Sequence, residues 1–221
     1  MKQTRHLLIA LALGTMLTSC GASVSTATVT GPAAYVDPYI GSGGHGHVFV
    51  GASVPFGAIQ AGPQNIHKGW DWCSGYHHSD SIVIGFAHTH LSGTGCTDMG
   101  DVQIMPYTGE LRSKRGRQED IGGSCSSYYS HDNESVSPGY YSLKMDNGVR
   151  IEMTASTRTA LHRITYPEAE GRRLLINLEE GNGDGAYDTY LRQTDAHTVE
   201  GYRFSKGWGP HKVFFALTTD K

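Results

Sequence analysis

After an apolar leader, no stretch of ten residues carries the spacing of an amphipathic helix; the chain is cut into short apolar runs bounded by turn residues. This one feature argues against helical bundles and folds that alternate strands with helices, and it predicts an all-β protein. The runs are SIVIGFAH (81–88), DVQIMPY (101–107), GYYSLKM (139–145), VRIEMTAS (149–156), TALHRITY (159–166), RLLINLE (173–179), TVEGYRFS (198–205) and HKVFFALT (211–218). VRIEMTAS and TALHRITY alternate apolar with polar residues, the pattern of strands with one buried face. Asp146-Asn147-Gly148 joins two runs and predicts a tight hairpin, since Asn-Gly suits the turn that matches strand twist. Many short antiparallel strands at this spacing predict a β-sandwich or barrel.

The N-terminus carries a different signal. MKQTRH supplies two cations, LLIALALGTML is apolar but too short to span a bilayer comfortably, and Leu17-Thr18-Ser19-Cys20 follows. These features predict a secretory signal over residues 1–19, with Cys20 lipidated at the new N-terminus. Residues 20–34 are small and polar and read as a flexible tether. No acidic residue follows Cys20 directly, which favours the periplasmic face of the envelope over the outer surface. The net charge of −3, without a basic stripe, argues against a nucleic-acid partner. Nothing in the composition sets an oligomeric state.

Chemistry-bearing residues cluster in loops. His45-Gly46-His47 and His88-Thr89-His90 offer imidazoles at i and i+2, which share a face on a strand and can meet one metal. Neither pair has the Glu that a cupin-like site wants three or four residues on, so a His-x-His metalloenzyme is the weaker reading. No serine has glycine at both −2 and +2, which argues against a serine nucleophile. Cys73, Cys96 and Cys125 leave at least one thiol unpaired, with Cys73–Cys96 the favoured pair if any bridge forms. Of the carboxylates, Asp71, Asp98, Asp101, Glu179, Glu180, Asp184 and Asp188 are candidates for glycosidase chemistry, but no spacing selects a pair. GWDWCSGYHHSD (69–80) sets Trp70, Trp72 and Tyr76 beside Asp71 and two histidines. Aromatic faces that stack on a pyranose, next to groups that bond hydroxyls, suggest a sugar site.

Three segments together resemble the N-terminal domain of glycoside hydrolase family 92, the exo-acting α-mannosidases. They are YVDPYIGSGGHGHVFVGASVPFGAIQAGP (35–63), GWDWCSGYHHSDSIVIGFAHTHLSGTGCTDMGDVQIMP (69–106) and YYSHDNESVSPGYYSLKMDNGVRIEMTASTRTALHRITYP (128–167). One departure is Trp72, where the family has a small residue. The resemblance implies a mutarotase-like β-sandwich over 35–221, followed in the family by a helical barrel, with the active site between them. It further implies inverting hydrolysis of terminal α-mannose with Ca²⁺, the general acid, general base and calcium ligands belonging to the helical domain. Trp70, Asp71, Cys73, His88 and His90 then contribute to substrate binding, and mannose-containing glycans are the expected ligands. The final strand, HKVFFALTTDK, has almost nothing after it, so the expectation is a sandwich incomplete at its C-terminus and a chain inactive by itself. The rival expectation is a stand-alone mannoside-binding module.

Overall fold

The computed structural model describes residues 30–116 and 121–220; the expected signal peptide, Cys20 and most of the tether lie outside them. The tether's last residues, expected to be flexible, enter a 3-10 turn over Gly31–Tyr35. Thirteen strands follow among the described residues. The first sheet runs in the order β1 (Ala52–Ser53), β2 (Gln60–Asn65), β3 (Ile82–Ala87), β4 (Gln103–Thr108) and β10 (Arg172–Asn177), with β5 (Ser127–Tyr128) also pairing β3. The second is β6 (Glu134–Ser137), β7 (Tyr140–Lys144), β8 (Arg150–Ala155) and β9 (Ala160–Thr165). The third is β11 (Gly185–Gln193), β12 (Thr198–Lys206) and β13 (Pro210–Thr218). Every pairing is antiparallel.

The first two sheets form a sandwich. Val50, Val83, Phe86, Ile104 and Met105 come from one side, and Tyr141, Leu143, Ile151 and Met153 from the other. Alternation in β8 survives as expected: Ile151 and Met153 are buried, while Arg150 and Thr154 are exposed. The predicted hairpin forms between β7 and β8 with a three-residue loop. Gly148 N–H donates to Met145 O and Met145 N–H to Val149 O, so the positive φ falls on Gly148 alone, at 85°. The glycine therefore supplies a left-handed bulge residue rather than half of a two-residue turn. A Cβ there would also stand 3.1 Å from Pro167 Cγ. Gly148→Ala is expected to destabilise the fold by about 1–2 kcal/mol, measurable by urea denaturation.

The third sheet is tied to the first by one fully buried cation. Arg203 on β12 is 0% exposed and bonds Asp101, which precedes β4, and Asp184, which precedes β11. This sheet's other face carries Tyr190, Tyr202, Phe204 and Phe214, ring against ring.

Candidate functional site

Three loops meet at one end of the sandwich. The first holds His45-Gly46-His47. Gly46 N–H bonds Gly43 O, Val48 N–H bonds Gly41 O, and a Cβ on Gly46 would lie 2.1 Å from Gly41 O, so only glycine fits this turn. The second is a 3-10 turn over Trp70–Trp72, closed by Cys73 N–H on Trp70 O. The third runs from His90 to Cys96. Gly93 N–H donates to His47 O at 2.7 Å, Trp70 Nε1–H to Gly95 O at 2.9 Å, and the Cys73 thiol to Thr94 O at 2.9 Å. Gly95 must be glycine, since a Cβ there would meet Trp70 Nε1 at 2.9 Å.

At the centre is Asp71. His45 Nδ1 lies 2.6 Å from its Oδ1, and His47 Nε2 lies 3.3 Å from the same oxygen. The bond from His45, seconded by His47, outweighs burial and holds the Asp71 carboxyl below the usual carboxylate range. Trp70 is 58% exposed, with the His47 ring edge-on to it at 4.2 Å. His47 itself is buried and sits at φ 56°, a left-handed conformation costly for a non-glycine residue.

The sequence-nominated residues divide. Trp70, Asp71 and Cys73 share one turn beneath the third loop. Cys73 is buried, its S–H is spent on Thr94, and burial pushes its thiol up, so it is no nucleophile and serves the loop's shape. Cys73, Cys96 and Cys125 are all free thiols. His88 and His90 sit elsewhere in the bonding pattern. His88 Nδ1–H donates to Val102 O at 2.6 Å, which leaves Nε2 to accept from His162 Nε2 on β9 at 2.9 Å, a staple between the two sheets. His90 is buried, donates from Nδ1 to Gln60 O at 2.8 Å and stacks on Phe49 at 5.1 Å. Among the described residues, no hydrogen bond or ring contact joins either histidine to Trp70 or Asp71. Burial lowers all three imidazoles, His90 to about 4 and His162 to about 3.

Trp72 and Tyr76 also make their side-chain contacts away from Asp71. Trp72 donates to Asp80 Oδ2 and stacks on His77 at 4.3 Å, which fixes the turn from its far side. Tyr76 is in the core, its hydroxyl on Glu134. What sequence reasoning missed is that His45 and His47 serve Asp71; their i, i+2 spacing flagged the pair but not its partner.

Two groups of metal-ligand type converge among the described residues, His78–His131–Glu134 and Asp98–Asp184–His211. Calcium takes six to eight oxygens, and neither group suits it. Both oxygens of Asp184 are held by Arg203, and Glu134 receives Tyr76, Tyr141 and His131. His78 and His131 stack with planes only 28° apart, so their in-plane lone pairs do not aim at one ion.

The structure is thus an antiparallel sandwich with polar loops gathered around an exposed tryptophan and an ionised aspartate. The glycosyl hydrolase family 92 N-terminal domain matches residues 35–221, and the chain belongs to that family. A family GH92 α-mannosidase from Bacteroides thetaiotaomicron, solved in complex with mannoimidazole, is 38% identical and superposes with a TM-score of 0.82 over 86% of this chain and 25% of that one. An inverting GH92 mannosidase of the same organism is 26% identical, with a TM-score of 0.67, over 83% of this chain and 24% of that one. A protein of Arthroderma benhamiae described as a secreted glycosidase is 32% identical over 158 residues, 67% of this chain and 18% of that protein. The chain thus spans about a quarter or less of the relatives it matches.

Proposed function

We propose that this chain supplies the sugar-facing loops of an exported α-mannosidase that acts on terminal α-mannose of glycans by inverting, calcium-dependent hydrolysis. The observation that carries it is the pairing of an exposed indole with an ionised carboxylate on glycine-tightened loops, in a chain related to a mannoimidazole-bound mannosidase. Trp70 offers a flat apolar face to the C–H side of a pyranose, and Asp71 accepts a hydroxyl. The general acid, general base and calcium ligands belong, on this reading, to a further domain; the convergent groups in this chain do not suit the ion. A calcium ion held by that domain would supply the distortion of the sugar ring. The secreted relative and the apolar leader support export, with Cys20 lipidated and the chain held at the periplasmic side of the envelope.

The test uses the purified chain with methyl α-mannoside and α-1,2-mannobiose. The Trp70 indole N–H resonance is expected to shift on titration with the mannoside, while no mannose is released from the disaccharide. Turnover comparable to a full-length family enzyme overturns the division of labour, and an unmoved Trp70 resonance overturns its contact with sugar.

A further inference from the structure

Asp71 has two carboxylate oxygens and the structure uses them unequally. His45 Nδ1 and His47 Nε2 both fall on Oδ1, while Oδ2 has no hydrogen-bond partner among the described residues. The side chain is 27% exposed and sits in a turn of only three residues. Without fixed donors, a carboxylate in such a place rotates freely about both side-chain bonds. Two donors on one oxygen remove that freedom and leave the second oxygen pointing away from them.

Of the two donors, His47 is itself fixed. His47 is buried at 7% exposure, and its backbone carbonyl is pinned by Gly93 N–H. Its left-handed φ costs about 1–3 kcal/mol, a conformation that persists where the surroundings over-determine it. The same imidazole stands edge-on to Trp70, so one ring sets both the indole and the carboxylate. His45 is exposed and is held by its bond to Asp71 and by the Gly46 turn beside it, which admits no side chain. Its ring centroid is 5.6 Å from that of Trp70.

We propose that His45 and His47 are positioning residues that clamp Asp71 through Oδ1 and present Oδ2, beside the exposed Trp70 ring, as the acceptor for one hydroxyl of a hexopyranoside. This rests on the mannoside reading above. The clamp keeps the carboxylate acceptor-only, so it selects a hydroxyl donor and disfavours an anionic group at that point.

Four variants of the full chain test it. Asn places an amide near the imidazole Nδ1 position and Gln near Nε2, so His45→Asn and His47→Gln retain a donor. His45→Ala removes one, and His47→Asn removes the Nε2 donor while tolerating the left-handed backbone. The Asp71 carboxyl carbon, titrated by NMR, is expected to move up towards the ordinary carboxylate range in His45→Ala and back in His45→Asn. Affinity for methyl α-mannoside is expected to fall about tenfold in His45→Ala and His47→Asn, and to recover in His45→Asn and His47→Gln. An Asp71 titration unmoved by His45→Ala overturns the clamp, whatever the affinity does. A titration that moves while mannoside affinity stays equal in all variants overturns Oδ2 as the sugar acceptor. A titration that moves in a chain taking up no mannoside leaves the clamp standing and sinks the mannoside reading alone.

Discussion

Replacing Arg203 by methionine is expected to destabilise the protein by about 3–5 kcal/mol, the usual cost of breaking a buried ion pair from one side. Arg203 is 0% exposed, and its Nε donates to Leu178 O at 3.0 Å. Its Nη1 bonds Asp101 at 2.5 Å, and the fork of Nη1 and Nη2 holds Asp184 at 2.9 and 3.0 Å. Both carboxylates are buried, with side-chain exposures of 1% and 0%. Methionine fills the volume but strips the guanidinium from two buried anions, leaving Asp101 with the Thr89 hydroxyl at 2.6 Å and His211 at 3.0 Å. For a domain of this size the melting temperature should fall by about 2–4 °C for each kcal/mol lost. Arg203→Lys should recover part of the loss, because it keeps the charge but not the fork. Arg203→Met with Asp184→Leu should recover more, since one anion goes with the cation. A single methionine variant within about 1 kcal/mol of wild type by urea denaturation would sink the view that this arginine fastens the third sheet.

Fold class was legible because β8, β9 and β13 alternate, while β3 and β4, buried along nearly their whole length, stand out as apolar runs. Each of the eight anticipated runs overlaps a strand. Of the strands that escaped notice, β1, β5 and β6 are only two to four residues long, and the two longer ones lack both signals in opposite ways. β2 carries Gly62 and Pro63 and is buried on both faces after Gln60, so it shows turn residues and no alternation. β11 is exposed along nearly its whole length, so no apolar face marks it. That Trp70, Asp71 and Cys73 lie together was legible because they are neighbours in one turn. The His45 and His47 bonds cross 26 and 24 residues, and the His88–His162 bond crosses 74. Periodicity has no reach over such separations; only the folded register of two sheets brings those rings together. The same distance explains why His88-Thr89-His90 looks like a metal pair in sequence yet disperses in space. One imidazole turns to the opposite sheet and the other to β2.

Those dispersed histidines should govern acid stability. His90 is folded with its imidazole near 4 against an ordinary 6.5, and burial, which opposes the charged form, is the main cause despite the bond to Gln60 O. Its Nε2 is buried without a partner among the described residues, as is Nδ1 of His162, and a proton placed on either meets no acceptor among them. The folded state therefore binds fewer protons than the unfolded chain between the two values, and stability falls as pH drops from about 6.5 towards 4. His90 alone should remove about 2 kcal/mol by pH 5 and about 3 kcal/mol by pH 4. The His88–His162 pair, both lowered by burial, acts in the same direction. His211 opposes it: burial pulls its imidazole down, but Gly209 O and the Asp101 charge outweigh that and raise it. Its contribution is whole below 6.5 and is lost as pH climbs through the raised value, so stability should peak near neutrality. Urea midpoints measured at half-unit steps from pH 8 to 4 will show the shape. Loss driven by carboxylates alone begins below about pH 5. A midpoint that holds flat from pH 7 to 5 and falls only afterwards would refute the histidine account. A decline already steep at pH 6, and blunted in His90→Asn, is the result these buried rings require.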